Sequence, residues 1–400
     1  MTAIPTAARS CAAILVSLFF IALPVPASSD EPVFGSCNLK INAPRPVTDA
    51  LDEVLRQIRE SVFGSAPGGV LSVRSAQWRY ARSIGVADPG AGTPIDCEMP
   101  FQIGSNTKMM TAVILLQLQE EGRLSLDDPL AKYLPDVAAR LPFGESMTLR
   151  QLARHTSGVF SYTDNAPDGT PGLMEGAIND AVALKRELTP REMIDFVVEH
   201  GEPTFPPGKK GAWHYSNTGY ALLGMVIEKL EKLAFDKSLE TRIFGPLGMK
   251  NTYLWNDIPR PSFGLPRSYL AAPFDFETTA WNMSQGWAAG AVISTIDDMH
   301  TFIEALVAGK LFRSPETLTI MQDTVPTSNP ALQGYGIGLA LKGDKLWGHG
   351  GQTLGFESDI AAFADLNISL VAWGTSSSNV LVLGASVIAK ALRDSGALGE

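Results

Sequence analysis

The strand signals of this chain sit at its two ends, and the stretch between them reads as helices and loops. That distribution restricts the fold more than any other feature. Near the start, Val70-Leu71-Ser72-Val73 and Trp78 through Ala87 alternate roughly between polar and apolar residues, and Asp88-Pro89-Gly90 ends the second run. They read as the two strands of a hairpin. Four more short runs fall between Tyr335 and Gly374, with glycine or Asp365-Leu366-Asn367 at the turns. Leu51, Val54, Leu55, Ile58 and Val62 recur at helical spacing behind Thr48 or Asp49 as a cap, with Gly64 as the stop. A second terminal helix is expected from about Val380 to Arg393. The economical solution is an α+β fold. One antiparallel sheet is built from both chain ends (about 47–100 and 333–395) and flanked by the terminal helices, with a mostly helical middle (about 105–330) beside it.

Composition narrows the partners. The 400 residues are 45% hydrophobic, ample for a large core spanning 47–395. Asp and Glu number 42 against 32 Lys and Arg, and no basic run occurs, so no nucleic-acid partner is expected. Residues 1–27 differ from the rest: Arg9, an apolar run from Cys11 to Leu23, then Pro24-Val25-Pro26-Ala27. This reads as a secretory signal cleaved near Ala27, with an uncleaved anchor as the alternative. A secreted or periplasmic chain with no membrane span after cleavage is the expectation. Residues 28–46, rich in Pro, Ser and Asn, read as an extended arm. Cys37 and Cys97 then either pair or stay separate buried thiols. No Cys/His cluster has zinc spacing and no His-Glu-x-x-His occurs, so neither a metal nor an organic cofactor is expected.

Chemistry concentrates in three places. The first is Ser105-Asn106-Thr107-Lys108. A serine hydroxyl needs a base beside it to act as a nucleophile. Helical residues three apart share a face, so this spacing puts the Lys108 amine beside the Ser105 hydroxyl. The run from Met109 to Glu121, closed by Gly122, is apolar on nearly every face until its last turn, which predicts a buried helix. The second place is Tyr215-Ser216-Asn217, in a polar turn after Pro206-Pro207-Gly208. A phenol titrates near pH ~10, and a lysine ammonium a few ångströms away lowers that value. Tyr215 is therefore a candidate base for Ser105 and a later acid for the leaving group, while the Asn217 amide is suited to a substrate amide or carbonyl. The third is Trp347-Gly348-His349-Gly350-Gly351-Gln352, a strand end whose glycines, Gly351 included, let backbone approach a ligand. Amides of Ser105 and of a residue near Gln352 are in reach of a developing oxyanion, and His349 adds a polar or cationic contact. The bland reading of this third piece is a glycine-rich turn with a solvated histidine.

Together these stretches, in this order, resemble the penicillin-recognising serine hydrolases, and most of all the branch holding class C β-lactamases, secreted D-alanyl-D-alanine carboxypeptidases and related esterases. Also similar to that branch are Glu121-Gly122-Arg123-Leu124-Ser125, His155-Thr156-Ser157-Gly158 and Gly245-Pro246-Leu247-Gly248-Met249. The resemblance covers roughly 48–395. It implies an acyl-enzyme on Ser105, proton handling by Lys108 and Tyr215, substrate binding by Asn217, electrostatic support from His349, and an oxyanion hole from the Ser105 and Gln352 amides. Either Lys108 or Tyr215 is the acylation base. His155 takes a structural place, and the absence of any Gly-x-Ser-x-Gly argues against a Ser-His-Asp triad. The substrate is a small molecule or peptide, with peptidoglycan fragments, β-lactams and esters all open. A binding protein that keeps the fold without turnover is the rival reading. One departure stands out: relatives usually carry a Thr or Ser hydroxyl where this chain has Gly350, which removes a donor for a substrate carboxylate. The loops at 161–180 and 257–287 are expected to set the substrate.

Overall fold

The hairpin expected near the start and the four runs near the end do join in one sheet. The computed structural model describes residues 34–35, 37, 39–61, 68–179, 181–255, 264–270, 276–377 and 384–398. Residues 1–27, expected to be a signal segment, and Val62 and Gly64 lie outside the described residues. The main strands are β1 (Phe34–Gly35), β2 (Gly68–Arg74), β3 (Arg79–Asp88), β4 (Gly334–Tyr335), β5 (Ala340–Gly343), β6 (Leu346–Gln352), β7 (Glu357–Phe363) and β8 (Ile368–Gly374). Their spatial order is β1-β3-β2-β8-β7-β6-β5-β4, and each neighbouring pair is antiparallel. The seam between the two chain ends is β2 against β8, with Leu71 opposite Ala372.

Five helices frame the sheet and the site: α1 (Arg45–Ser61), α2 (Thr107–Glu120), α3 (Asn217–Glu231), α4 (Ile296–Val307) and α5 (Gly384–Asp394). Helix α1 starts at Arg45, ahead of the expected Thr48 or Asp49 cap, because Pro46 is well suited to a first helical turn where no N–H partner is needed. Successive strand residues point to opposite faces, and this sorts the core into two layers. Leu71, Val73, Ala361, Phe363 and Leu370 pack with Leu51, Leu55, Ile388 and Leu392 of α1 and α5. Val70, Ile360, Ala362, Val371 and Trp373 face the other way and join the core around α2 and α3.

Two details are added. The mostly helical middle also takes part in a small antiparallel sheet of Phe101–Gln102, Val292–Ser294 and Tyr253–Leu254. Strands of two or three residues are too short for alternation to show in a sequence. Asn217, expected in a polar turn, opens α3 itself. The two cysteines are paired as a disulfide, Cys37–Cys97, with Cα atoms 5.1 Å apart. It ties the N-terminal arm to the segment that leads into Ser105.

Candidate active site

Ser105 sits in a tight turn, Gly104–Asn106, that runs straight into α2. Residues Thr107 through Leu116 are all buried, so the helix is enclosed on every side as its composition predicts. Side chains and strands hold the turn. Asn106 Nδ2 donates to Ile103 O and to Ser358 Oγ, each at 2.9 Å, and Ser358 Oγ donates to Ile103 O at 3.0 Å. Ile103 N donates to Val292 O at 3.0 Å. Gly104 has φ +53, and a Cβ there would lie 2.6 Å from the amide nitrogen of Gln352. A Cβ on Gly351 would lie 2.0 Å from Ile103 O and 2.7 Å from Asn106 Nδ2. Gly351 therefore serves the approach of β6 to the nucleophile turn, rather than the approach of a ligand to backbone. Gly351→Ala is expected to push β6 off that turn and slow covalent labelling of Ser105 by a fluorophosphonate at least about 100-fold, the scale of a misplaced reacting group. A labelling rate within a few-fold of the parent would show that the close approach is dispensable.

Lys108 is fully buried beneath Ser105. Its Nζ lies 2.9 Å from Ser105 Oγ, 2.7 Å from Asn217 Oδ1 and 2.8 Å from Ala289 O. Burial strips water from an ammonium and holds this amine well below the ordinary lysine pKa. The bonding pattern fits the neutral form. Two of the partners, the Asn217 and Ala289 oxygens, can only accept, so they take the two N–H bonds of a neutral amine. The third partner, a hydroxyl, can reverse its role. When the amine is neutral, its lone pair is left facing the Ser105 hydroxyl. The orientation of Asn217 is set in turn, since Asn217 Nδ2 donates to Thr163 Oγ1 at 2.9 Å and Asn217 N donates to Ser161 Oγ at 3.1 Å. One Nδ2 hydrogen stays available for a substrate oxygen.

Tyr215 lies beside this pair, with Lys108 Nζ 4.8 Å from its ring centroid. Its hydroxyl is buried and has no protein partner in hydrogen-bonding geometry. Burial raises the phenol above its usual value, and the nearby Ser105 hydroxyl offsets this only in part. The expected phenolate is therefore not the resting form: the phenol keeps its proton, and burial pushes the Lys108 amine beside it towards its neutral form. His349 is corrected as well. It is 5% exposed, its Nε2 meets the Tyr335 hydroxyl at 2.9 Å, and its Nδ1 meets Gly350 O. Burial, then the Lys108 charge, push it down to about 3, so it is neutral and offers no cation to a substrate. Gly350 pairs in register with Asp359, whose carboxylate holds the buried Lys342 ammonium. Lys342 does not replace the missing cation.

Above these groups is a small cleft that opens to solvent. Ser105, Asn217 and Gln352 line it, with Tyr162, Thr163 and Met174 on one side and Trp281, Gln285 and Thr353 on another. Among the described residues, no lining side chain is charged. Sequence reasoning missed Thr163, Ala289 and Tyr335. Thr163 and Trp281 do fall in the two loops expected to set the substrate, whereas a carbonyl ligand such as Ala289 O leaves no trace in side-chain identity. The part of the second loop at 257–263 lies outside the described residues, as do 271–275.

A serine and a buried amine sharing a proton at the head of a buried helix, beside an antiparallel sheet made from both chain ends, is an arrangement with known counterparts. The family profile described as Beta-lactamase matches residues 51–389. The chain belongs to the beta-lactamase family. Its fold and its standing as a serine hydrolase follow from that membership, and the non-catalytic rival falls away because the relatives are hydrolytic enzymes. A D-stereospecific amidohydrolase from Streptomyces sp. is 32% identical, covers 85% of this chain and 97% of its own, and superposes with a TM-score of 0.72. The D-amino acid amidase from Ochrobactrum anthropi SV3, solved with L-phenylalanine amide, is 26% identical with a TM-score of 0.73, over 87% of this chain and 99% of that one. A putative penicillin-binding protein, PbpX of Bacillus subtilis (strain 168), is 28% identical over 250 residues, 61% of this chain and only 56% of that protein. Beta-lactamase-family chains of this kind thus include both amidases and penicillin-binding proteins, and the features of the cleft have to decide between them.

Proposed function

We propose that this chain is a serine amidohydrolase that cleaves small amides with an uncharged leaving side, D-amino-acid amides above all, through an acyl-enzyme on Ser105. The observation that carries the acyl-transfer reading is the contact of the buried Lys108 amine with the Ser105 hydroxyl, Nζ to Oγ 2.9 Å. Lys108 takes the Ser105 proton as the oxygen attacks the amide carbon. The amides of Ser105 and Gln352 receive the oxyanion. Once Lys108 is an ammonium, its charge near the Tyr215 ring lowers the phenol, and Tyr215 gives its proton to the departing nitrogen. Proton return from Lys108 to Tyr215 resets both groups. Water then attacks the ester, its proton leaves through the same pair, and Ser105 is released with the acid product.

Three features favour an amide with an uncharged leaving side over a carboxylate-bearing peptide or β-lactam. Gly350 supplies no hydroxyl, His349 is neutral, and the lining side chains among the described residues are uncharged. The D configuration is supported by the names of the two amidase structures.

The test is a rate panel on D-phenylalanine amide, its L enantiomer, a D-alanyl-D-alanine peptide, a cephalosporin and a short-chain p-nitrophenyl ester. D-phenylalanine amide is expected to exceed the peptide and the cephalosporin in kcat/KM by about 10-fold or more, the worth of one missing carboxylate contact. Ser105→Ala is expected to abolish turnover of all five. A preference for the carboxylate-bearing pair would overturn the substrate reading, and activity surviving in Ser105→Ala would move the nucleophile elsewhere.

A further inference from the structure

At its hydroxyl end Tyr215 has the nearby Ser105 hydroxyl, but no partner in full hydrogen-bonding geometry among the described residues, so that end does little to hold the ring. A proton donor whose reach matters to a fraction of an ångström has to be fixed from its other end. One residue does this from three directions. His155 O accepts from His214 N at 3.0 Å, and His155 Nδ1 accepts from Ser216 N at 3.1 Å. The residues on both sides of Tyr215 are thus pinned to a single partner, one through its main chain and one through its side chain. The imidazole also lies against the Tyr215 ring, centroids 4.2 Å apart at 37°.

The position is an expensive one to keep. His155 has φ +61, a left-handed conformation uncommon for any residue but glycine. Its Nε2 is buried without a partner. In the neutral ring the Ser216 contact uses the lone pair of Nδ1, so the unpaired Nε2 carries the proton, and an unmade buried hydrogen bond costs about 1–3 kcal/mol. An Asn would accept from Ser216 and tolerate the backbone without that penalty. What Asn lacks is a ring face. The same turn is anchored to α3 by Tyr220 Oη, which donates to Ala153 O at 2.8 Å, so the clamp is rigid on the side away from the substrate.

We propose that His155 is the positioning residue of Tyr215: it sets the plane and height of the phenol so that the hydroxyl meets the departing nitrogen. The proposal rests on the reading of Tyr215 as proton donor. It assigns His155 no contact with substrate. Its signature is selectivity by leaving group. An amine must be protonated to depart, whereas p-nitrophenolate departs as the anion, so a misplaced phenol slows amides and spares activated esters.

The experiment compares His155→Gly, which keeps the positive φ and removes ring and acceptor, with Tyr215→Phe and the double variant. Rates on D-phenylalanine amide and on a p-nitrophenyl ester of D-phenylalanine are divided by the active-site concentration from fluorophosphonate titration, so that misfolded molecules do not count. Tyr215→Phe is expected to lose about 100-fold or more on the amide and under about 10-fold on the ester, the range of general acid catalysis. His155→Gly is expected to show the same bias, and to add less than about 3-fold when Tyr215 is already Phe. Equal losses on both substrates, or full additivity in the double variant, would overturn the proposal and leave His155 a structural residue. If Tyr215→Phe itself shows no bias, it is the reading of Tyr215 that fails. Should His155→Gly yield no titratable sites, His155→Asn is put to the same two substrates, and the same amide-selective loss is required of it.

Discussion

Lys108→Met is expected to lower the rate of Ser105 acylation by about 10³–10⁴ while leaving a folded protein, because it removes the base and keeps the apolar stem. Methionine fills nearly the same volume and needs no water, so the core around α2 is preserved. The Asn217 and Ala289 oxygens lose their donor, which costs about 1–3 kcal/mol each and leaves the fold within the range of an ordinary core substitution. In the parent, the acylation rate should rise with pH as the amine loses its last proton, with a limb well below the usual lysine value because burial depresses this group. Lys108→Met should lose that limb. Single-turnover labelling across pH, with thermal unfolding as the control for folding, reads both effects. A variant that acylates within about 10-fold of the parent would hand the role of base to Tyr215.

The second large effect is acid lability. His155, His300 and His349 are 1%, 0% and 5% exposed, and burial depresses all three imidazoles. His300 is locked between Ser369 Oγ at 2.6 Å and Ser72 Oγ at 2.9 Å, at the join of α4 with β2 and β8. A depressed folded-state value means that the folded protein stays neutral where the unfolded chain takes up protons. The stabilisation is complete above the unfolded imidazole value of about 6.5 and is lost as the pH falls below it. Each site adds up to about 1.4 kcal/mol per pH unit, so three sites give a slope of about 4 kcal/mol per unit. For His349 the loss runs down to about 3. Urea unfolding between pH 7.5 and 5 should show the steep dependence, and His300→Gln should reduce the slope by about one proton. A flat profile below pH 6.5 would mean that these rings are already protonated in the folded state.

How much of the molecule is legible in its sequence depends on the range of the interactions. The hairpin, the late strands and both terminal helices declare themselves through local alternation and spacing. The two-residue strands Phe101–Gln102 and Tyr253–Leu254 do not, since a strand that short exists only because Val292–Ser294 lies between them. The site divides in the same way. Ser105 and Lys108 are neighbours on one turn of chain, and their pairing can be read from spacing. Thr163, Ala289 and Tyr335 act through hydrogen bonds that bridge tens to hundreds of residues, and no local pattern marks them. His349 is recognisable as part of the site, but its charge is not, because charge depends on burial that only packing sets.

By itself, then, the sequence determined the chemistry and the architecture: a serine with an amine one helical turn away, on a buried helix, beside a sheet drawn from both ends of the chain. Those follow from periodicities of two and 3.6 residues, which every stretch carries within itself. Tertiary structure alone decided the protonation states. The buried amine is pushed towards its neutral form, the phenol keeps its proton and the third-motif imidazole carries no charge, because each is stripped of water by segments distant in sequence. The same distant contacts turned Gly351 from a ligand-facing glycine into the point where β6 meets the nucleophile turn, and gave His155 its hold on both sides of Tyr215.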